Sequence, residues 1–104
     1  MTRPRLDILK EMLEKEPKDS FLNYALALEH IQINEIPKAI SIIEVVLQKD
    51  ENYLGAYYQL GKLYEQTQQK ELAINIYKKG IVIAMKQNNS KTMRELKEAL
   101  MNYE

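Results

Sequence analysis

Laid over itself with a shift of 34 residues, the chain repeats its own pattern of small and large side chains. Leu26 meets Leu60, Ala27 meets Gly61, Ala39 meets Ala73, Ile40 meets Ile74, Ile42 meets Ile76 and Tyr24 meets Tyr58. A fixed period of this size marks stacked supersecondary units, since one unit alone cannot bury its apolar face. The unit is clearest from Leu54 to Gln87, which reads as two amphipathic helices joined by a polar turn near Thr67 to Gln69. The copy before it runs from Ser20 to Tyr53.

Carried backwards, the same ruler sets Leu6 over Ile40, Ile8 over Ile42, Leu9 over Ile43, Met12 over Val46 and Leu13 over Leu47. After a short start at Thr2 to Pro4, residues 5–16 therefore read as the second half of a repeat, closed by Pro17 and acting as an N-terminal cap. Asp19 or Ser20 can cap the next helix through a side-chain oxygen. That helix carries Leu22, Tyr24, Leu26, Ala27, Leu28 and Ile31 on its apolar side. The turn from Asn34 to Ile36 leads into Pro37, preorganised for a first helical turn, and Asp50 to Asn52 form the next break. In the central copy nothing stops the second helix before Gln87 or Asn88, so it is expected to run about a turn longer than its counterpart. Asn88, Asn89 and Ser90 supply a left-handed stop and a fresh cap. Residues 90–104 form a last helix with Met93, Leu96, Leu100 and Tyr103 on one face. It fits the ruler only after a two-residue slip, and Lys97 then stands where Gly61 and Ala27 stood, which marks a C-terminal cap. The expectation is one all-α domain over 1–104 with six helices: a half-repeat at 5–16, repeats at 20–53 and 54–87, and a cap at 90–104.

Bulk numbers narrow the function. With 15 basic against 15 acidic side chains, nothing favours nucleic acid or an anionic membrane as a partner, since both call for a basic face. There is no Cys, which removes disulfides and thiolate metal sites. No apolar run approaches the roughly 20 residues of a membrane span, and MTRPRLDILKEML is charged where a signal peptide is apolar. A cytoplasmic location is expected.

Two helices come within about 8 Å only where a small side chain admits the neighbour's bulk. Ala27, Ala39, Gly61, Ala73 and Gly80 supply the room, while Tyr57, Leu60, Tyr64 and Tyr77 supply the bulk. Each helical glycine costs about 1 kcal/mol of propensity against Ala, which close packing must offset. This period and this placing of small against aromatic residues resemble the tetratricopeptide repeat (TPR) family. Tyr57, Leu60, Gly61, Tyr64, Ala73, Tyr77 and Gly80 fit its pattern in the central copy, and Leu26, Ala27 and Ala39 fit it in the first. Pro17 matches the proline that closes a repeat, whereas Glu51 and Met85 depart from it. Asn23 and His30 stand in for the usual aromatic or large apolar residues.

The resemblance implies a right-handed stack of helical hairpins whose first helices line a concave groove for a peptide or helix of another protein. By position, the groove residues are Phe21, Tyr24, Leu28, Ile31 and Gln32, then Tyr58, Lys62, Glu65 and Gln66. Family members that clamp acidic chaperone tails hold two carboxylates with Lys, Arg and Asn. Here Tyr24, Leu28 and Tyr58 occupy the corresponding places with Lys62 as the sole base, so such tails are not expected to bind.

Other readings of these residues are blander. His30 is the only histidine and is expected to pack in, or half emerge from, its helix, because a metal or acid–base role needs convergent partners. Tyr57, Tyr64 and Tyr77 belong to the core, and the seven tyrosines lack the interleaved basic stripe of a nucleic-acid platform. The charged faces, Lys10, Glu11, Glu14 and Lys15 on the first helix and Arg94, Glu95, Lys97 and Glu98 on the last, are solvated helix surface. No phosphate loop, nucleophile elbow or metal spacing is present, so no cofactor, metal or catalytic role is expected. The functional expectation is a non-catalytic protein-interaction module. The alternative is a homodimer, suggested by Val82, Ile83 and Met85 on the long second helix.

Overall fold

The computed structural model describes residues 4–103. The Thr2 and Arg3 part of the expected start, and Glu104, lie outside the described residues. Among those described are six α-helices and no strand: α1 (Arg5–Lys15), α2 (Ser20–Gln32), α3 (Ile36–Lys49), α4 (Gly55–Gln66), α5 (Lys70–Lys86) and α6 (Ser90–Met101). They fall into two compact units, one ending at Asp50 and the other beginning at Glu51.

In the first unit α2 packs on both α1 and α3. Leu9 and Leu13 of α1 meet Leu22 and Ala25 of α2. Ala27 shares a helix with them and is fully buried, as are Ala39 and Ile43 of α3, with Ile40, Val46 and Leu47 nearly so. Asp19, not Ser20, caps α2: its Oδ1 accepts the Leu22 N–H at 2.8 Å. Met12 differs from its expected role, being 47% exposed. At the corresponding position in α5, Gly80 faces Tyr57 of the helix before it. No helix precedes α1 among the described residues.

In the second unit α4 and α5 form a hairpin and α6 packs on α5. Ala56, Tyr57, Ala73, Tyr77, Ala84 and Leu96 are fully buried. α5 has 17 residues against 14 in α3, the extra turn that the missing stop signal implied. Its far end is tied to the start of the unit by Gln87 Nε2, which donates to the Asn52 carbonyl at 2.8 Å. Lys97 is exposed.

Three helices end alike. Asn34, Gln68 and Asn88 are left-handed, with φ of 61°, 61° and 55°. Their N–H groups reach the carbonyls of Ile31, Glu65 and Met85 at 3.0, 3.0 and 3.1 Å, and the next residues, Glu35, Gln69 and Asn89, reach His30, Tyr64 and Ala84 at 2.8, 2.8 and 2.9 Å. This paired closure is a Schellman motif. Each of those following residues also opens the next helix as its N-cap, which makes the turns as tight as they are. Asn89, not Ser90, caps α6, accepting the Thr92 N–H at 3.0 Å.

The glycines are placed by close approach. A Cβ on Gly61 would fall inside the Tyr77 ring, and one on Gly80 would lie 2.7 Å from Tyr57 Cβ and 3.0 Å from Leu96 Cδ1. The first hairpin answers both with a size exchange: Ala27 pairs in register with Ile43 instead of Gly61 with Tyr77, and Asn23 with Val46 instead of Tyr57 with Gly80. The polar end of the lost ring is kept. Tyr57 donates its hydroxyl to the Glu51 carbonyl at 2.6 Å, and Asn23 donates Nδ2 to the equivalent carbonyl, that of Pro17, at 3.0 Å.

Two outcomes are expected. Gln68→Gly should raise stability by up to about 1 kcal/mol in thermal and denaturant melts, because glutamine is strained in the left-handed region and glycine is not; an unchanged or lower melting temperature would contradict the turn assignment. Gly61→Ala should cost about 1–3 kcal/mol through overpacking despite its better helix propensity. In a Tyr77→Ile background the same change should cost measurably less, and equal costs in a double-mutant cycle would refute the pairing.

Candidate functional site

The expected groove residues fall into two sets, one on each unit. On α2, Phe21, Tyr24, Leu28 and Ile31 recur at intervals of three and four residues and so share a helix side. Phe21 is 64% exposed; Tyr24, Leu28 and Ile31 are half-buried, and Gln32 is exposed. Leu22 and Ala25 face α1 instead.

On α4, Tyr58, Lys62 and Glu65 are brought together with three residues from elsewhere in the second unit, while Gln66 is exposed. The Tyr58 and Tyr77 rings lie 6.5 Å apart, tilted by 48°. Lys62 Nζ is 5.5 Å from the Tyr58 ring centroid and 3.8 Å from Glu65 Oε2. The Tyr77 hydroxyl donates to Glu65, and the Tyr103 phenol lies close enough to feel that carboxylate. Lys70 Nζ sits 5.8 Å above the Tyr103 ring. One half-buried carboxylate thus holds the Tyr77 phenol and the Lys62 ammonium, with Tyr103 beside it.

The repeat pattern marks Tyr77 only as core and Tyr103 only as part of the last helix's apolar face, and it carries no signal for Lys70. The ring of Tyr77 is fully buried as expected. A buried tyrosine must nonetheless find an acceptor for its hydroxyl, and the helix-end carboxylate of Glu65 was a signal that could have been used. Burial first, then the hydrogen bond to Glu65 and that carboxylate's charge, push the Tyr77 phenol far above the ordinary phenol range. Tyr103 moves the same way, through partial desolvation first and then Glu65.

His30 is buried at 4% exposure, with Nδ1 3.0 Å from Glu35 Oε1. Among the described residues no group of three or more His, Cys, Asp or Glu is placed to hold a metal ion, and no helix is long and apolar enough to cross a membrane.

No family model and no curated protein matches the sequence. Solved structures do. The chain is similar to a tetratricopeptide repeat domain protein from Salinibacter ruber, whose solution structure is 38% identical, with a TM-score of 0.80 over 85% of this chain and 89% of that one. The crystal structure of that bacterium's domain is 37% identical, with a TM-score of 0.77 over 81% and 93%. The chain belongs to the tetratricopeptide repeat family, with an all-α helical repeat fold. The TPR2B domain of yeast Sti1, solved as a complex with pHsp70, shares the fold at 19% identity, with a TM-score of 0.84 over 92% of this chain and 77% of that one.

A pH dependence follows from Tyr77. Its folded form holds the proton above the unfolded phenol value of about 10, so the folded state binds more protons at alkaline pH and stability falls as pH rises past that value. Melting temperatures between neutral pH and strongly alkaline pH should therefore show a decline that Tyr77→Phe makes shallower. The same slope in both proteins would contradict the buried hydrogen bond.

Proposed function

We propose that this chain is a non-catalytic protein-interaction module that takes up a peptide or helix of a partner on the groove-lining sides of α2 and α4. One observation carries the reading: Phe21 stands 64% exposed at the head of a stripe with Tyr24, Leu28 and Ile31, while Leu22, Ala25 and Ala27 of the same helix are buried in the core. Aromatic anchors of this kind supply most of the binding energy in peptide recognition. The complex of the yeast domain with pHsp70 supports a binding role for the fold.

The partner is a peptide or helix but not an acidic chaperone tail. Lys62, the base of the α4 face, is already turned toward Glu65 and the Tyr58 ring. A second reading, self-association, is favoured by Val82 and Met85 on α5, 50% and 59% exposed; Ile83, which the sequence grouped with them, is 4% exposed and belongs to the core. Light scattering across dilution decides between a dimer and a monomer.

Peptides selected by display against the chain provide the test. Replacing Tyr24 and Tyr58 together by Ala should weaken the best binder by about tenfold or more with little change in melting temperature; unchanged affinity would remove the proposal. In the same titration a peptide ending in acidic residues should not bind through these faces, and affinity that depends on Tyr24 and Tyr58 would overturn that part.

A further inference from the structure

Resting on the interaction reading of α4, we infer that Tyr58, Glu65 and Tyr103 form a binding site for a cationic side chain, an Arg or Lys of the partner, and that the chain's own Lys62 is a stand-in for it. A cation site needs a fixed carboxylate and aromatic faces beside it, because an ammonium or guanidinium is attracted both by the charge and by the negative face of a ring within about 6 Å. Glu65 meets the first condition. Its carboxylate is held by the hydroxyl of Tyr77, a side chain packed rigidly in the core. Tyr58 and Tyr103 meet the second, and both are half-buried, so each keeps a reachable surface.

Two cations of the chain already occupy these faces. Lys62 Nζ lies 5.5 Å from the Tyr58 centroid and 3.8 Å from Glu65, and Lys70 Nζ lies 5.8 Å from the Tyr103 centroid. Neither is locked. Lys62 is 44% exposed and its contact with Glu65 is long, a geometry in which an ion pair contributes little. A partner's guanidinium, with donors matched to a carboxylate and a plane that stacks on tyrosine, is the better occupant. Tyr77 acts here as a positioning residue, since its ring is closed to any ligand.

The test is a solution NMR titration of the 104-residue chain with three blocked tripeptides, acetyl-glycyl-X-glycyl-amide, in which X is arginine, lysine or glutamate. The arginine peptide should give saturable shifts of the Tyr58 and Tyr103 ring signals, and the lysine peptide weaker ones. Lys62→Met, at an exposed position that leaves the fold intact, should tighten arginine binding about two- to fivefold by removing the internal competitor. Glu65→Gln should abolish the shifts. No saturable shift with arginine, or Lys62→Met binding equally or more weakly, would overturn the inference. If the glutamate peptide shifts these rings and the arginine peptide does not, the cation site is refuted while the interaction module stands. Loss of the module itself would show instead as selected peptides indifferent to Tyr24 and Tyr58.

Discussion

The missing side chain of Gly61 is the constraint on which the second unit depends. Because nothing projects from that point of α4, the ring of Tyr77 lies against its backbone. Gly80 does the same for α5 against Tyr57 and Leu96. The approach offsets the propensity each glycine gives up, about 1 kcal/mol, by burying two tyrosine rings completely. It also aims the Tyr77 hydroxyl. Once the ring lies beside Gly61, its polar end emerges at Glu65, one turn further along α4, and the carboxylate is fixed where Tyr58, Lys62 and Tyr103 can use it.

The first hairpin shows that the constraint is one of volume and not of residue identity. Ala27 with Ile43 and Asn23 with Val46 redistribute size between the same positions. Asn23 still serves the carbonyl that Tyr57 serves in the other copy. Without a tyrosine at position 43, however, no hydroxyl is delivered to the end of α2. The polar group found there is a different one, His30 with Glu35.

The helices were legible from the sequence because period, prolines and small residues all point the same way: Pro37 lies in the first turn of α3, and α5 outruns α3 as the absent stop signal required. The caps were half legible. Asp19 and Ser20, or Asn89 and Ser90, are chemically equivalent candidates, and only the backbone path selects between them. Gln68 was not legible, since glutamine carries no preference for the left-handed region and adopts it because α4 and α5 must turn within three residues. Met12 misled because the ruler shows which face a residue takes but not whether another helix covers it. Tyr58, Lys62 and Glu65 could be placed on one side of α4 by spacing. Their union with Tyr77 and Tyr103 depends on contacts made between α4, α5 and the turn after α6, which no single-helix pattern encodes.

The approach of the glycine backbone to a tyrosine ring can be observed directly. A nuclear Overhauser spectrum of the chain, with glycine and tyrosine labelled, should show strong cross-peaks from the Gly61 α-protons to the ring protons of Tyr77, and from the Gly80 α-protons to Tyr57. If those cross-peaks are absent while the helices are intact, the helices do not meet at these points, and neither the packing nor the placing of Glu65 stands.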